Sequence, residues 1–565
     1  MKIHFFLVLL YTLIGVVFSS SSYSKNTDFN YNAKNLSGYF SALISFNDFD
    51  YLKSKEFFKK IKGSEKDSSN YTTKYIQSLV NLQKFNEAKK YSRNLEAKKI
   101  FNFESKLILG LSEFKRGKTS KAKIYFKQIE QSFEHRAVFN VLKTSLINWS
   151  DIDESDKEKG LSNIENLSDR YNNFKVIQNA LAHCFFDTEN TEKIFNKLYG
   201  NKENNFSRYY FFHANYLLNK GKKTESNKLI NYASTKYPKN LLINQFKKVL
   251  DKDKKNNNKF YCKNKNHILA EIFYIVANAL ATQGNYELSN FYINLSLYLN
   301  PNFTSYESLM AENFFILGKY DKSMKIYKKL SNTGSVYQWH SNRQIAFILD
   351  AQDKKKEAIN FLKKTYKTID PDVYQIYDFA NFLRNREEFE TAIDLYSKIL
   401  LKINTEHNLY YQVLDRRGTA YERINKLNLA EKDLLMSLKI SPKQPYVMNY
   451  LAYTWIEQGK NLNKALGMLE EANELKKDDG YITDSLGWAL YKLNRYSEAK
   501  EYLRAAIILM PSDPIVNDHF ADCLWKNNQK IQARYYWNYV LKLKNTDSDL
   551  KKIIENKLIF GLEKS

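Results

Sequence analysis

Small residues recur in pairs along the C-terminal half of the chain, within stretches whose apolar residues have helical spacing. A close crossing of two helices needs a small side chain at the contact, because a larger one would hold the backbones apart. The pattern predicts a repeating helix–turn–helix unit of about 34 residues. The members of each pair lie twelve or thirteen positions apart: Ala277/Ser289, Ala311/Ser323, Ala346/Ala358, Ala380/Ala392, Gly418/Ala430, Ala452/Ala465, Gly487/Ala499 and Ala521/Ala533.

The same spacing is fainter in the N-terminal half, where Gly110/Ala122 and Ala214/Ser226 fit it. Between the two halves, residues 251–265 are rich in Lys and Asn and nearly lack apolar residues, which is typical of a solvated linker. The domain prediction follows in chain order: a signal peptide at 1–24, a degenerate array at 25–250, a basic linker at 251–265, a regular array of about eight repeats at 266–543, and a capping helix at 544–565.

Prolines provide an independent check on the register. Proline is tolerated at the first position of a helix or between helices, but it disrupts a helix interior. All seven prolines fall at predicted joints, and Pro445 and Pro514 each open a first helix. The low counts of Gly (17) and Pro (7) also favour helices over a turn-rich sheet fold.

The segment from Asp484 to Pro511 carries a family resemblance. It contains Leu486-Gly487 in the first helix, then Ala499 and Leu503, and a late proline. This layout resembles the tetratricopeptide repeat. The resemblance implies an all-α fold, namely a right-handed superhelical α-solenoid of helix–turn–helix repeats.

The last 120 or so residues resemble more specifically a group of alphaproteobacterial cell-envelope tetratricopeptide-repeat proteins. The resemblance rests on Asp484 to Trp488, Asn517 to His519 with Asp522 and Trp525, Ala533-Arg534 with Trp537, and Lys557-Leu558 with Gly561-Leu562. It implies a fold and a compartment, and it brings no reaction or ligand.

The N-terminus predicts export. Lys2 precedes an apolar run from Phe5 to Phe18, and the small residues of Ser19 to Ser24 follow. A basic start, a short apolar core and small residues are typical of a secretory signal peptide, and a membrane span needs about 20 apolar residues. We therefore expect a periplasmic protein. The alternative is an inner-membrane anchor formed by the uncleaved N-terminal helix.

The net charge of +25 allows two interpretations. It suits a polyanion or an anionic membrane leaflet as partner. It is also what an AT-rich genome would produce, because Lys, Asn, Ile, Tyr and Phe are abundant together and the lysines are scattered.

No catalytic motif is found: the chain has no phosphate-binding glycine loop, no HExxH and no GxSxG. The three cysteines predict neither a disulfide framework nor a zinc site, and Cys262 is expected to be an exposed thiol. His519 and Cys523 are four residues apart on one helix face and are expected to pack between helices. The chain is therefore predicted to be non-enzymatic, with no cofactor and no metal.

The candidate binding site is the inner groove, which the first helices line in stacked repeats of this kind. Its residues are expected at about the second, fifth, ninth and twelfth positions of each unit. Most fall outside the packing positions, and Tyr and Trp suit binding surfaces because they offer large rigid area with a polar tip. These positions hold Tyr374, Tyr377, Tyr446, Asn449, Tyr453, Tyr481, Asp484, Trp488, Tyr491, Asp518, Asp522 and Trp525.

This groove is aromatic and mildly acidic, which argues against nucleic acid as the ligand. The function hypothesis is an exported scaffold that binds proteins or peptides in its concave groove, in envelope assembly or maintenance. The alternative is a basic surface module that docks on an anionic polymer or membrane leaflet, with peripheral membrane association. That alternative predicts binding that falls steeply with salt.

Overall fold

In the computed structural model, the regular secondary structure of the described residues is helical, and they contain no strand. None of the described helices has the length and apolar character needed to cross a bilayer. The chain divides into two compact units, unit 1 from Met1 to Gln352 and unit 2 from Asp353 to Ser565. The predicted signal peptide lies outside the described residues, which are 33–61, 69–132, 134–136, 138–200, 205–251 and 258–563.

Unit 1 contains eighteen helices in its described residues. Their bounds are α1 Ala33–Asn47, α2 Tyr51–Lys60, α3 Ser69–Asn81, α4 Phe85–Ala97, α5 Phe103–Lys115, α6 Thr119–Lys127, α7 Phe139–Asp151, α8 Lys157–Glu165, α9 Asn172–Phe186, α10 Thr191–Gly200, α11 Tyr209–Asn219, α12 Lys223–Lys236, α13 Leu241–Asp251, α14 Lys265–Thr282, α15 Tyr286–Leu299, α16 Ser305–Ile316, α17 Tyr320–Leu330 and α18 Ser335–Ala351. A short 3₁₀ turn, Asp169–Tyr171, precedes α9.

Unit 2 contains twelve helices in its described residues. Their bounds are α19 Lys355–Thr368, α20 Val373–Arg384, α21 Phe389–Leu400, α22 Tyr410–Arg423, α23 Leu427–Ile440, α24 Pro445–Glu457, α25 Leu462–Leu475, α26 Gly480–Lys492, α27 Tyr496–Leu509, α28 Pro514–Lys526, α29 Lys530–Lys542 and α30 Ser548–Phe560. A 3₁₀ turn, Gly561–Glu563, follows α30. The predicted all-α fold is confirmed.

The small-residue pairs lie where helices of one hairpin cross. A Cβ atom added to Gly487 on α26 would lie 2.6 Å from Cγ of Leu503 and 3.0 Å from its backbone nitrogen on α27. Atoms at these distances overlap, so the two helices can approach this closely only with glycine at position 487. Ala499 on α27 is likewise fully buried.

The helix ends follow capping rules. Pro445 and Pro514 occupy the first turns of α24 and α28, where no backbone N–H is needed. The carboxylate of Asp513 accepts hydrogen bonds from the first amides of α28. Asn494 and Asn528, 34 residues apart, adopt positive φ angles of 62° and 64° in the turns between paired helices, a conformation that asparagine tolerates better than most residues.

Unit 2 is built in two layers. The first helices of successive repeats contact one another: α20 contacts α22, α24 contacts α26, and α26 contacts α28. The second helices α21, α23, α25, α27 and α29 pack on them as partners in each hairpin. The first helices therefore form the inner layer, which is the arrangement expected for stacked repeats. Helix α30 packs on α29 and buries Leu550 and Ile554.

In unit 1, helices on the two sides of the predicted linker pack against each other. Helix α3 contacts α15, and α9 contacts α14. Arg208, which lies before the linker, forms a bidentate ion pair with Glu271 after it, at 2.7 and 3.0 Å. The boundary between the compact units lies at Gln352 and Asp353, further along the chain than residues 251–265. The predicted repeat with Ala346 and Ala358 spans that boundary.

The expectation that Cys262 is an exposed thiol is wrong. Cys262 is buried and bonded to Cys184, which lies 78 residues earlier, with the two Cα atoms 5.5 Å apart. The segment around Cys262 is held in place by a hydrogen bond from Asn215 Nδ2 to the carbonyl of Phe260, at 2.7 Å. Tertiary packing, which sequence spacing does not reveal, brings the two cysteines together. Cys523 is a buried free thiol.

Candidate functional site

The twelve predicted groove residues lie on four first helices of unit 2: α20, α24, α26 and α28. They fall into two groups with different surroundings. One group is exposed or half-buried at the surface of the inner layer. The other is buried beneath it and bonded to protein groups, several of them on the last helices.

An exposed apolar row marks the second residue of three successive first helices. Tyr446 on α24 is 56% exposed, Tyr481 on α26 is 61% exposed, and Ile515 on α28 is 44% exposed. We call these three residues the apolar row. The sequence reasoning found the two tyrosines and missed Ile515, because it weighed aromatic and polar side chains at these positions. The repeat register alone identifies it.

Polar neighbours orient Tyr446. Its hydroxyl donates to Oδ2 of Asp479 at 3.0 Å and accepts from Nζ of Lys476 at 3.0 Å. The same ammonium group lies 4.8 Å from the ring centroid of Tyr446, a favourable cation–π distance. The ring is therefore held at the surface in a defined position while remaining exposed.

On α20, the two predicted tyrosines are half-buried. The hydroxyl of Tyr374 donates to Oδ1 of Asn408 at 3.2 Å. Tyr377 lies near Arg416. Burial lowers the pKa of Arg416, but the carboxylate of Asp415 and the hydroxyl of Tyr377 outweigh this effect and raise it. Both tyrosines thus have local polar partners.

Half-buried Asn449 and Tyr453 follow Tyr446 along one face of α24. The Oδ1 atom of Asn449 is buried and has no hydrogen-bond partner in the described structure. Burial raises the pKa of Tyr453, with further contributions from Glu457 and Asp484. The half-buried phenol of Tyr453 is partly accessible to a ligand on this face, whereas the amide oxygen of Asn449 lies beneath it.

On α26 and α28, Trp488 lies at the centre of an aromatic stack. Its ring is 4.6 Å from that of Tyr491 and 3.9 Å from that of His519, and both pairs are nearly parallel. Its indole nitrogen donates to Oε1 of Glu457 at 2.7 Å. Nδ1 of His519 lies 2.9 Å from Oδ2 of Asp484. Trp488, His519 and Asp484 are buried, and their contacts hold α26 and α28 together.

The two remaining acidic residues of the predicted groove bind a lysine of the last helix. Nζ of Lys557 lies 2.8 Å from both carboxylate oxygens of Asp518 and 2.9 and 2.8 Å from those of Asp522. The indole nitrogen of Trp537 donates to Oδ1 of Asp522 at 3.0 Å. We call these four residues the Lys557 cluster. Sequence reasoning missed Lys557, which lies 35 and 39 residues beyond its partners.

Burial and charge shift the titration of this buried region. Burial lowers the pKa of His519, but the charge and hydrogen bond of Asp484 outweigh it and raise the pKa. Burial and the neighbouring charge of Asp518 raise the pKa of Asp522 to about 6, although Lys557 acts in the opposite direction. Burial lowers the pKa of Lys557, but Asp522 and Asp518 outweigh that effect and raise it.

Trp525, the last predicted residue, contacts the chain beyond α30. Gly561 has a φ of 70°, and a Cβ atom on it would lie 2.2 Å from the Trp525 ring. Only glycine permits this approach. The Trp525 ring is also 5.3 Å from that of Trp537 and remains half-buried.

One cavity in unit 1 has a volume of about 850 Å³. Apolar residues such as Phe174, Ile177 and Leu242 line most of it, and Arg208 and Glu271 form part of its wall. Arg208 is also in cation–π contact with Tyr274, whose ring centroid is 4.2 Å away. The ion pair neutralises this wall. Sequence reasoning gave no sign of the cavity, because its lining comes from seven helices and the connecting segments.

One group in unit 1 has donor types that suit a metal ion. Ligand atoms of Glu104, Glu134 and His135 lie within 4.8 Å of one another. Protein groups already satisfy them. Nε2 of His135 is 2.9 Å from Oε1 of Glu104, its Nδ1 is 2.7 Å from the hydroxyl of Tyr292, and Gln77 donates to both carboxylates. The geometry is that of a buried hydrogen-bond network that joins α3, α5 and α15.

Known proteins share this repeat. The tetratricopeptide-repeat family model matches residues 484–513, on α26 and α27. The chain is 30% identical over 136 residues to the TPR repeat-containing protein PA4667 of Pseudomonas aeruginosa, covering 24% of this chain and 22% of that protein. It is 27% identical over 104 residues to the human (Homo sapiens) cell division cycle protein 16 homolog, covering 17% of each. The matches thus span about a fifth of these relatives' length.

Among solved structures, the crystal structure of the APC/C hetero-tetramer Cut9-Hcn1 is similar with a TM-score of 0.33 and 15% identity, covering 81% of this chain and 90% of that chain.

Antiparallel helix pairs with small residues at their crossings, stacked with their first helices in contact, define a helical-repeat protein. With the family match on α26 and α27, the chain is a tetratricopeptide-repeat protein. Proteins of this class are generally non-catalytic scaffolds for protein–protein interaction. The resemblance to alphaproteobacterial envelope proteins stays a prediction.

Proposed function

We propose that this chain is an exported scaffold that binds proteins or peptides through the inner face of unit 2, in assembly or maintenance of the cell envelope. The observation that carries the proposal is the apolar row. Tyr446, Tyr481 and Ile515 stay exposed at the same place of three successive first helices. An apolar surface repeated in register offers a partner segment successive anchor points.

The same helix face continues with groups that suit a polypeptide. Tyr453 and Tyr491 add half-buried rings, and Trp525 adds a third. Half-buried Asn449 adds an amide side chain to the same face. A partner segment would lie along the inner face as a helix or an extended chain, with apolar side chains against the rings.

Charge contributes little to this proposal. The single charge of Lys557 offsets one of the two carboxylate charges of Asp518 and Asp522, and His519 pairs with Asp484. Asp484, Asp518 and Asp522 are buried, so the exposed and half-buried groups of the face are mainly aromatic and amide side chains. Binding through it should therefore change little with salt, whereas docking of a basic surface on an anionic polymer or leaflet should weaken steeply as salt rises.

Export to the periplasm is supported by the N-terminal sequence pattern and by the Cys184–Cys262 disulfide. Disulfides persist in oxidising compartments and are rare in the cytosol. Cell fractionation with N-terminal sequencing tests this part. A periplasmic chain that begins at Lys25 is expected. An intact N-terminus in the inner membrane would favour the anchored alternative, and an intact chain in the cytosol would contradict export.

Alanine substitution in the apolar row tests the binding face. The double variant Tyr446→Ala/Tyr481→Ala should lose partner capture by about tenfold or more, since exposed aromatic anchors dominate such interfaces. The matched control is Tyr535→Ala, because Tyr535 is 69% exposed on a second helix, α29. Unchanged capture by the double variant, with unchanged helical content, would contradict the assignment.

A further inference from the structure

A second surface of unit 2 is rich in arginine. Arg384 on α20 and Arg416 and Arg423 on α22 line one open cavity of about 640 Å³. One carboxylate, that of Glu387, is also part of the lining, and it lies 3.6 Å from Lys355. The lining residues therefore carry an excess of positive charge.

The guanidinium of Arg384 has only neutral partners. Its Nη1 donates to Oγ1 of Thr419 at 3.1 Å, and its Nη2 donates to Oδ1 of Asn385 at 3.0 Å. Its Nε has no partner in the described structure. By contrast, Arg417 on the same α22 is fully paired, with Asp433 oxygens at 2.7 and 2.9 Å. The chain thus neutralises Arg417 and leaves Arg384 without a carboxylate in bonding contact.

The other two arginines have loose ion pairs with their chain neighbours. Nε of Arg416 lies 3.5 Å from Asp415, and Nε of Arg423 lies 3.7 Å from Glu422. Neither of these carboxylates lines the cavity. Distances of this length leave N–H groups of Arg423 free to turn to a ligand, while Arg416 also bonds to the hydroxyl of Tyr377 and offers its remaining N–H groups.

From this arrangement we infer that the cavity binds a small phosphate monoester. Counted with their ion-pair partners, the groups at the cavity carry one more cation than carboxylates, and this surplus lies at Arg384, where it suits an anionic phosphate group. Arginine forks match phosphate oxygens in bidentate geometry, and three terminal oxygens use more of these donors than the two of a carboxylate. The inference does not depend on the proposed function.

The volume and the remaining lining indicate the rest of the ligand. A cavity of about 640 Å³ is larger than a bare phosphate needs and lies in the usual range for small organic ligands. The rings of Phe389 and Tyr450 form part of the wall and offer a surface for a sugar-sized body. The ligand class is thus a soluble phosphate ester of about that size.

Calorimetric titration of the purified full chain tests the inference, with glucose 6-phosphate and inorganic phosphate as probes. Saturable binding at one site per chain is expected, with glucose 6-phosphate at least tenfold tighter than glucuronate, which carries a carboxylate on a similar ring. Arg384→Gln should weaken binding by about tenfold or more. Arg504→Gln, at an exposed position on α27, is the matched control and should change nothing.

A second variant, Arg423→Gln, separates lost binding from lost folding, because the Arg423 side chain is 63% exposed and its replacement should not disturb the fold. This variant should also weaken binding several-fold. Absence of binding by both probes, equal affinity for glucuronate, or binding unaffected by Arg384→Gln and Arg423→Gln would overturn the inference. Binding confined to phosphatidic acid vesicles or to a phosphoserine peptide would overturn it as well, since it would assign the arginines to a membrane or a protein partner.

Discussion

The ammonium nitrogen of Lys557 lies 2.8 Å from each carboxylate oxygen of Asp518. Lys557 belongs to α30, the last helix, while Asp518 belongs to the inner-layer helix α28. The contact joins the end of the chain to the inner layer of unit 2. It also removes acidic charge from the face that we propose to bind partners.

Removal of this lysine should destabilise unit 2. In Lys557→Met, Asp518 and Asp522 lose their shared cation while they stay buried, and breaking a buried ion pair costs about 3–5 kcal/mol. Urea unfolding followed by tryptophan fluorescence measures the change, because four of the six tryptophans lie in unit 2. Lys552→Gln is the control, since Lys552 is exposed and 3.8 Å from Asp549. A loss no greater than the control's would contradict the role of the Lys557 cluster.

The His519–Asp484 pair should make unit 2 less stable as pH rises above neutrality. The folded pKa of His519 is raised, so the pair stabilises the fold fully below the unfolded pKa of about 6.5, and this contribution is lost as pH rises through the folded pKa. Unfolding midpoints of the native chain and of Asp484→Asn, measured from pH 5 to 9, should converge at high pH. A constant difference between the two unfolding midpoints from pH 5 to 9 would contradict a stabilising charge on His519.

The helix crossing at Gly487 can be tested with a pair of glycines. Gly487→Ala would place a methyl group 2.6 Å from Leu503, and such overpacking costs about 1–3 kcal/mol. Gly467 lies inside α25 with no atom within 4 Å of an added Cβ. Gly467→Ala should therefore stabilise the fold by about 0.5–1 kcal/mol, through helix propensity. Changes of the same sign in the thermal unfolding midpoints of the two variants would contradict the close crossing of α26 and α27 at Gly487.

Thiol counting tests the disulfide. The chain purified and unfolded without reductant should react with an alkylating reagent at Cys523 alone, and after reduction at all three cysteines. Reduction should also destabilise unit 1 by about 2–5 kcal/mol, as removal of a native disulfide commonly does. Three alkylated cysteines without reduction would contradict the Cys184–Cys262 bond.

The register of the repeats could be predicted from the sequence because it rests on local constraints. Small residues such as Gly487 and Ala499 are needed where two helices cross closely, and Pro445 and Pro514 fit the starts of helices. Each of these residues therefore indicates its own position in the repeat. The partners of the predicted groove residues could not be predicted in this way. Periodicity places Asp518 on the inner face, but it does not reveal that Lys557 reaches back to it.

Long-range pairing limits the remaining predictions too. Cys184 and Cys262 are 78 residues apart, and their contact depends on how α9 and the segment before α14 pack. Likewise, Arg384, Arg416 and Arg423 are unremarkable in a basic sequence, and only the stacking of α20 on α22 makes them line one cavity. Local patterns thus predict helices and their faces, and tertiary contacts decide which face residues remain accessible.

Site-specific photo-crosslinking in intact cells tests the central claim most directly. A photoreactive amino acid placed at position 481, in the apolar row, should crosslink a defined protein or peptide partner. An excess of the Tyr446→Ala/Tyr481→Ala chain should not displace this partner, because that chain lacks the two aromatic anchors. The same amino acid at position 535, exposed on α29, should give no such product. Identical products from both positions, or none from 481, would contradict partner binding at the inner face of unit 2.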